Sequence, residues 1–571
     1  MANGQWLKAK KFMGFINFFK TSAPKPLLTE DQMQQKVYRS FAIQSFIAGT
    51  IGYSLYYVCR TSLNVMKDPI IDSGTLSKEQ LGVIGGCLLF AYAFGKLVNG
   101  FIADHSNIKR FMSVGLLVSA FANLAMGVIG LLGSDNDMLG KASIPSMVVF
   151  MVFAIMWGVN GWVQSMGAPP AIIALSRWFP LSKRGTYYGF FSASHNIGEW
   201  LSFIFVGLIV ATAGWQWGFF GAAIAGIIGV VIILFMMHDT PESKGLPSIE
   251  QLTGDKAESK KKDESLKEIQ KQVLKNPAVW ILALASAFMY ISRYSLNSWG
   301  VLFLQKEKGF DLAEATFIIS INALLGILGT VLAGWMSDSL FKGDRKMPAF
   351  VSGVLLSISY ALFIYGGNEY WVNILSMVLF GIAIGVLIAF LGGLMAVDIV
   401  PRKATGAALG VVGMASYIAA GLQDVISPWL IREKKTTVDI APETQELYQN
   451  IINTAQTDIP NATETVSKIS ENLDVLKEGV LHSEMTGQVS QEFAKKFLDM
   501  QDKFGELGDE FVKGTDHISD KVVNLAEKAL EKGSVVVETY DFSDAAIFWI
   551  GASVISFLLP MLLWGKKKVE E

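Results

Sequence analysis

The chain has little of what a soluble or disulfide-stabilised protein needs. Only 2 of its 571 residues are cysteine, which excludes a disulfide-dense secreted scaffold and a cysteine-based metal site. Charged residues make up 17%, where a soluble domain carries about a quarter, and the mean hydropathy is +0.39. No phosphate-cradling Gly-x-x-x-x-Gly-Lys loop, nucleophile elbow or metal-ligand cluster occurs. We therefore expect no enzyme, no cofactor, no metal and no nucleic-acid partner, and a chain largely surrounded by lipid.

Long apolar stretches dominate the sequence instead. A helix needs about 20 mostly apolar residues to cross a bilayer, and twelve stretches meet this requirement. They run over about 41–66, 81–103, 111–133, 147–175, 186–211, 215–238, 277–304, 314–336, 348–366, 371–397, 405–431 and 544–565. The sequence thus predicts an all-α polytopic membrane protein with twelve transmembrane helices.

Basic residues alternate between the predicted loops and indicate the orientation of the chain. They concentrate in the loops after spans 2, 4, 8 and 10, and cytoplasmic loops of membrane proteins carry such an excess. Lys260–Lys262 add to the same side in the central loop. The bias predicts cytoplasmic N and C termini, and we expect a bacterial inner membrane.

The spans and loops divide the chain into six parts. These are a cytoplasmic N-terminal segment (1–38), a six-helix half (39–238), a central cytoplasmic loop (239–276), helices 7–11 (277–431), an insertion (432–543), and helix 12 with a cytoplasmic tail (544–571).

A loop motif occurs twice, about 234 residues apart. It consists of Gly100, Asp104 and Arg110 after span 2, and of Gly334 and Asp338 after span 8. Arg60 in span 1 and Arg293 in span 7 are 233 residues apart, almost the same separation as the two loop motifs. Two parallel six-helix halves produce such a pattern, and it resembles the major facilitator superfamily. In that family we expect the glycine to allow close helix packing and the aspartate to cap a helix and pair with basic residues, a structural and gating role.

Ionisable residues inside the predicted spans are the candidate functional groups, because burying a charge in a bilayer is costly. Arg60 and Arg293 have no acidic residue within a turn of their own helices. Each either pairs with a carboxylate on another helix or joins the other to clamp a dianion at the axis between the halves. A guanidinium group suits the second role, since its planar fork matches phosphate oxygens.

Four other intramembrane groups allow alternative interpretations. Lys96 either extends to the cytoplasmic face or adds a third positive charge to the site. His195 is either a satisfied core residue or a substrate or coupling residue that shares a hydrogen bond or a proton with Glu199, four residues on. Glu199 otherwise only balances excess positive charge. Asp424 is solvated near the external end, contacts a sugar hydroxyl or balances an arginine.

Several segments resemble the organophosphate:phosphate antiporters, the group that contains hexose-phosphate and glycerol-3-phosphate transporters. The matching segments begin at Tyr56, Ala91, Asn160, Ser194, Asp239, Tyr290 and Gly334. The resemblance implies that Arg60 and Arg293 bind phosphate and that Lys96 and His195 line the same cavity. We place Tyr57, Trp162 and Tyr294 from these segments there too. It further implies exchange of an organic phosphate for inorganic phosphate by rocking of the two halves, with a monomeric transport unit.

Two departures from that group bear on the substrate. Its members carry glycine where this chain has Glu199, and the glycerol-3-phosphate type is uncharged around Gln423 and Asp424. The polar site at Asp424 favours a hexose phosphate such as glucose 6-phosphate. The alternatives are a membrane sensor that binds a sugar phosphate without transport, and a proton-coupled symporter suggested by His195 and Glu199.

The insertion has no counterpart in that group. It contains 12 basic and 22 acidic residues, a net charge of −10. The apolar spacing around 466–476 and 493–504 predicts two to four amphipathic helices, and the orientation places them outside the cytoplasm. We interpret the insertion as a self-contained unit, or alternatively as a docking or oligomerisation module for a protein partner.

Overall fold

The computed structural model describes residues 18–28, 31–135, 139–253, 273–341, 344–400, 405–439 and 534–563, together with residues 446, 449 and 453. The chain forms two compact units. The first comprises Met1–Ile431 and Phe542–Glu571, and the second comprises Arg432–Asp541.

Long helices make up the first unit. The first half contains α1 (Asp31–Asp72), α2 (Lys78–Asp104), α3 (Ile108–Gly133), α4 (Ser146–Gln164), α5 (Ala168–Trp178), α6 (Leu181–Leu201), α7 (Gly207–Ala213) and α8 (Trp215–Met236). After it come α9 (Ile249–Thr253), α10 (Pro277–Lys306), α11 (Leu312–Trp335), α12 (Lys346–Tyr365), α13 (Tyr370–Ala389), α14 (Met395–Asp398), α15 (Thr405–Leu430) and α16 (Ser543–Leu558). A π-helical turn, Ser202–Val206, continues α6 into α7, and another, Phe390–Leu394, joins α13 to α14.

Ten helices in the described residues are long and apolar enough to cross a membrane, and an eleventh is added if the bent α2 counts as one span. Together with the family reported below, they make the chain a multi-pass integral membrane protein. The helix α1 covers the predicted first span without a break but is not among these ten. The number twelve therefore stays a prediction.

The internal repeat extends to the helix caps. The helix α2 begins with a capping box, in which the Ser77 side chain accepts from the Gln80 N–H and the Gln80 side chain binds the Ser77 backbone. The helix α11 begins in the same way with Asp311 and Glu314. Ser77 and Asp311 have the spacing of the duplicated loop motif, so corresponding helices of the two halves start at corresponding residues.

The motif glycines were expected to allow close helix packing, but no helix packs closely against them in the described residues. A Cβ atom added at Gly100 or Gly334 would meet no atom within 4 Å. The close approaches lie elsewhere: a Cβ at Gly161 of α4 would collide with the backbone carbonyl of Leu88 in α2. A flexible side chain could move away, but a helix backbone cannot.

We expect Gly161→Ala to lower the melting temperature of the detergent-purified protein by several degrees, because α2 and α4 must separate to accept the methyl group. The matched substitution Gly100→Ala should leave the melting temperature unchanged or raise it, since alanine is the better helix former by about 1 kcal/mol. A thermal melt followed by intrinsic fluorescence measures both. Equal melting temperatures for the two variants would contradict this packing.

The helix cap and ion pair predicted for Asp104 are formed by other residues. Asp104 is exposed at the end of α2, and Asn107 is the N-cap of α3, accepting from the Arg110 N–H at 3.0 Å. The ion pair joins Arg177 to Asp239 at 2.5 Å, and Asp239 also accepts from the Ile108 N–H. The expectation for Asp104 is wrong because the loop after α8 inserts its own carboxylate between α3 and α5.

The other basic residues near the duplicated loops bind backbone carbonyls or a more distant carboxylate. The Arg110 guanidinium donates to the Phe18 carbonyl at 2.8 Å. Asp338 lies in a π-helical turn, Met336–Leu340, that follows α11. In the second half, Arg345 donates to Asp398 at 2.8 Å and to the Leu394 carbonyl at 2.6 Å.

The second unit begins and ends with strands, which the sequence did not predict. The strands β1 (Arg432–Asp439) and β2 (Ser534–Asp541) are antiparallel, with Arg432 opposite Asp541 and Asp439 opposite Ser534. The amphipathic stretches 466–476 and 493–504 lie outside the described residues.

The two halves of the first unit meet closely at one end, which we call the insertion end because α15 finishes and α16 starts there. Lys306 of α10 forms ion pairs with Asp68 at 3.2 Å and Asp72 at 2.6 Å, both in α1. A Cβ at Gly85 of α2 would collide with the carboxylate of Asp424 in α15. Charge pairing and close packing thus hold the halves together at this end.

Candidate functional site

Arg60 lies in a cluster of tyrosines contributed by both halves. Its guanidinium carbon is 4.2 Å from the ring centroid of Tyr92 in α2 and 5.2 Å from that of Tyr417 in α15. The corresponding distances are 5.3 Å to Tyr57 in α1 and 5.9 Å to Tyr294 in α10. All five side chains are buried. Tyr57 and Tyr294, both predicted site residues, are therefore at the site.

The charge of Arg60 is stabilised but not neutralised by this cluster. Its Nη2 donates to the Tyr294 hydroxyl at 2.9 Å, and each ring contributes a cation–π attraction of about 0.5–2 kcal/mol. No carboxylate forms an ion pair with Arg60 in the part of the chain that the structure describes. An uncompensated buried charge is costly, so Arg60 is the candidate residue for binding an anion.

Amide side chains from α3 and α4 hold the Arg60 segment of α1 in place. Gln164 Nε2 donates to the Tyr56 carbonyl at 2.9 Å, and Asn160 Nδ2 donates to the Cys59 carbonyl at 3.0 Å. Asn123 donates to the same carbonyl at 2.9 Å. These positioning residues were not recognised from the sequence, although buried amides inside apolar spans were a usable signal.

Lys96 is the second cation near the cluster. Its Nζ is 5.4 Å from the Tyr417 centroid, and a Cβ atom at Gly413 of α15 would lie 3.3 Å from it. Lys96 is exposed, so its ammonium group stays solvated while it lies beside the same tyrosine as Arg60. The geometry favours the interpretation in which Lys96 adds positive charge to the site.

Arg293 differs from Arg60 in having a carboxylate partner. Its Nη2 donates to Glu199 Oε2 at 3.0 Å, and Asn297 Nδ2 donates to Glu199 Oε1 at 2.5 Å. All three residues are at most 4% exposed. The expected clamp of two unneutralised arginines is therefore wrong for Arg293, because Glu199 of α6 reaches across to α10 and neutralises it.

His195 and Trp162 are placed less centrally. The His195 ring is half-buried with its centroid 5.8 Å from that of Tyr57. No hydrogen bond joins His195 to Glu199 among the described residues, and the hydrogen bonds of Glu199 go to Arg293 and Asn297 of α10. Trp162 is 39% exposed, and its carbonyl accepts from Asn99 Nδ2 at 3.1 Å.

Asp424 forms an ion pair with Lys67, which lies just beyond the predicted end of span 1 at residue 66. Its Oδ1 is 3.1 Å from Lys67 Nζ, and both side chains are at most 3% exposed. Lys67 also lies 3.7 Å from the ring centroid of Trp299. Asp424 is therefore neither solvated nor paired with an arginine. The reason is that α1 continues past the predicted span and carries Lys67 into the interface between the halves.

The comparisons with known proteins agree with this architecture. The family model of the Major Facilitator Superfamily matches residues 49–423. The chain belongs to the major facilitator superfamily. It is a membrane transporter by family and fold, and not an enzyme.

The similar proteins confirm the predicted group. A probable hexose phosphate transport protein of Chlamydia pneumoniae is 32% identical, over 71% of this chain and 89% of its own. The glycerol-3-phosphate transporter of Bacillus subtilis (strain 168) is 33% identical, over 71% of this chain and 88% of its own. The membrane sensor protein UhpC of Escherichia coli (strain K12) is 29% identical, over 71% and 90%.

Solved structures confirm the fold alone. A bacterial homologue of the human lysosomal transporter Spinster aligns over 94% of this chain and 99% of its own, with a TM-score of 0.57 and 15% identity. A D-xylose-proton symporter aligns over 68% and 90%, with a TM-score of 0.53 and 15% identity.

Proposed function

We propose that this protein exchanges an organic phosphate, best represented by a hexose phosphate such as glucose 6-phosphate, for inorganic phosphate by alternating access. One observation carries the proposal: Arg60 is buried between the halves and forms no ion pair with a carboxylate in the described residues. The names of the similar proteins agree with a phosphate ester as substrate.

In this proposal Arg60 is the main phosphate ligand. Its planar fork binds two phosphate oxygens at once, and the ammonium group of Lys96 adds a second positive charge. The tyrosine hydroxyls around Arg60 donate further hydrogen bonds. Arg293 is held by Glu199, so it lies beside the phosphate without being its first ligand.

Exchange follows from the charge of the empty site. With no anion present, the buried charge of Arg60 lacks a counter-ion, and closing the protein around it is costly. A bound dianion removes that cost and lets the halves rock. Because organic and inorganic phosphate both supply the dianion, the carrier returns with one after delivering the other.

The rival function is a sensor that binds the same ligand without moving it. The similarity to a membrane sensor protein favours this candidate. Proton-coupled symport is less favoured, because Glu199 binds α10 instead of His195.

Counterflow separates these functions. Proteoliposomes loaded with unlabelled phosphate should take up labelled phosphate rapidly, and external glucose 6-phosphate should compete better than glycerol 3-phosphate or phosphoglycerate. A sensor would bind glucose 6-phosphate in detergent but show no uptake above protein-free liposomes. Uptake into phosphate-free vesicles that is driven only by a pH gradient would show that the protein is a symporter and not an exchanger.

A further inference from the structure

Glu199, Arg293 and Asn297 form a closed group next to the proposed phosphate site. Arg293 occupies one oxygen of the Glu199 carboxylate and Asn297 the other. The guanidinium carbons of Arg293 and Arg60 lie 5.8 and 5.9 Å from the centroid of the same ring, that of Tyr294. The group is therefore a neighbour of Arg60, and we infer that the organic part of an ester bound at Arg60 faces it.

The charges of the group do not suit a second anion. Glu199 cancels the positive charge of Arg293, which leaves Arg60 and Lys96 to balance one phosphate dianion. A carboxylate on the organic part would find Arg293 occupied and would approach the negative charge of Glu199. Like charges brought together in a poorly solvated site repel strongly.

A separate observation concerns hydrogen bonding. The Asn297 Oδ1 atom is buried and has no hydrogen-bond partner among the described residues. It is an acceptor, so a hydroxyl group can satisfy it, whereas an ionised carboxylate has no proton to donate. A buried acceptor left without a donor weakens the complex of any ligand that fails to supply one.

We propose that Glu199 and Asn297 determine specificity by selecting phosphate esters whose organic part is uncharged and carries hydroxyl groups, and by rejecting esters that bear a carboxylate. The proposal rests on the proposed function for the position of the phosphate. It predicts that the wild-type site prefers glucose 6-phosphate to 3-phosphoglycerate.

The test compares two competitors in two measurements. Glucose 6-phosphate and 3-phosphoglycerate compete against labelled phosphate in proteoliposome exchange, and their binding to detergent-purified protein is read from the shift in melting temperature. Glu199→Gln removes the charge at constant size and releases Arg293. It should lower the concentration of 3-phosphoglycerate that halves the exchange of labelled phosphate at least about tenfold. The rate of inorganic phosphate exchange itself should change little. Asn297→Leu should weaken the binding of glucose 6-phosphate about tenfold and leave the binding of 3-phosphoglycerate unchanged.

A matched control is Glu307→Gln, an exposed glutamate just past the end of α10, which should leave both competitors unchanged. Equal competition by the two esters in the wild type, or an unchanged ratio in Glu199→Gln, would overturn the proposal. Selective binding of glucose 6-phosphate without exchange would overturn the transport function and leave this specificity standing.

Discussion

Arg60→Lys should reduce phosphate exchange at least about 100-fold, a loss of about 2.8 kcal/mol at 1.4 kcal/mol per factor of ten. Lysine keeps the charge but loses the fork that binds two phosphate oxygens. It also loses the planar group that contacts the four tyrosines. Arg293→Lys should have a much smaller effect, about tenfold or less, because Glu199 already occupies Arg293.

Initial rates of phosphate exchange in proteoliposomes measure both effects. Arg39→Lys is a matched control, because Arg39 lies on the same helix, α1, and is exposed. It should exchange phosphate at the wild-type rate. Near-normal exchange by Arg60→Lys, or equal losses for Arg60→Lys and Arg293→Lys, would contradict a site centred on Arg60.

Asp424→Asn should lower the free energy of unfolding by about 3–5 kcal/mol, because it leaves the buried ammonium group of Lys67 without its counter-ion. Lys67→Met should cost a similar amount by leaving the carboxylate unpaired. The double variant Lys67→Met/Asp424→Leu should recover most of the loss, since apolar groups of similar volume often replace a buried ion pair at no cost. Thermal and denaturant unfolding in detergent measure all three variants.

The matched control is the more exposed pair of Lys78 and Glu79, in which the glutamate side chain is 27% exposed. Glu79→Gln should cost at most about 1 kcal/mol, because such pairs near solvent contribute little. If Asp424→Asn were no more destabilising than Glu79→Gln, the Lys67–Asp424 pair would not hold α1 to α15. An additive double variant would contradict direct coupling of the two side chains.

The duplicated register predicted more of the fold than of the site. The spacing shared by the loop motifs, the two arginines and the capping residues places equivalent helices in each half. It also suggested that Arg60 and Arg293 have equivalent surroundings, and they do not. Arg293 forms an ion pair with Glu199, whereas Arg60 forms none with a carboxylate in the described residues, so the backbone repeat hides an electrostatic difference.

Two of the differences from the predictions concern ion pairs between residues that are distant along the chain. Asp104 was expected to cap and pair, but Asn107 and Asp239 do so, because the loop after α8 folds back onto α3. The predicted first span ends at residue 66, just before the charges of Lys67 and Asp68. Nothing local distinguishes a solvated lysine at a helix end from one that pairs with Asp424.

The sequence by itself determined the lipid environment, the two-half architecture and the family, because these depend on hydropathy, spacing and local motifs. The tertiary structure decided which charges remain unneutralised. Glu199 and Arg293 are 94 residues apart, and Lys67 and Asp424 are 357 apart. The halves pack through α6 against α11, α1 against α10 and α2 against α15, and this packing brings these charges together.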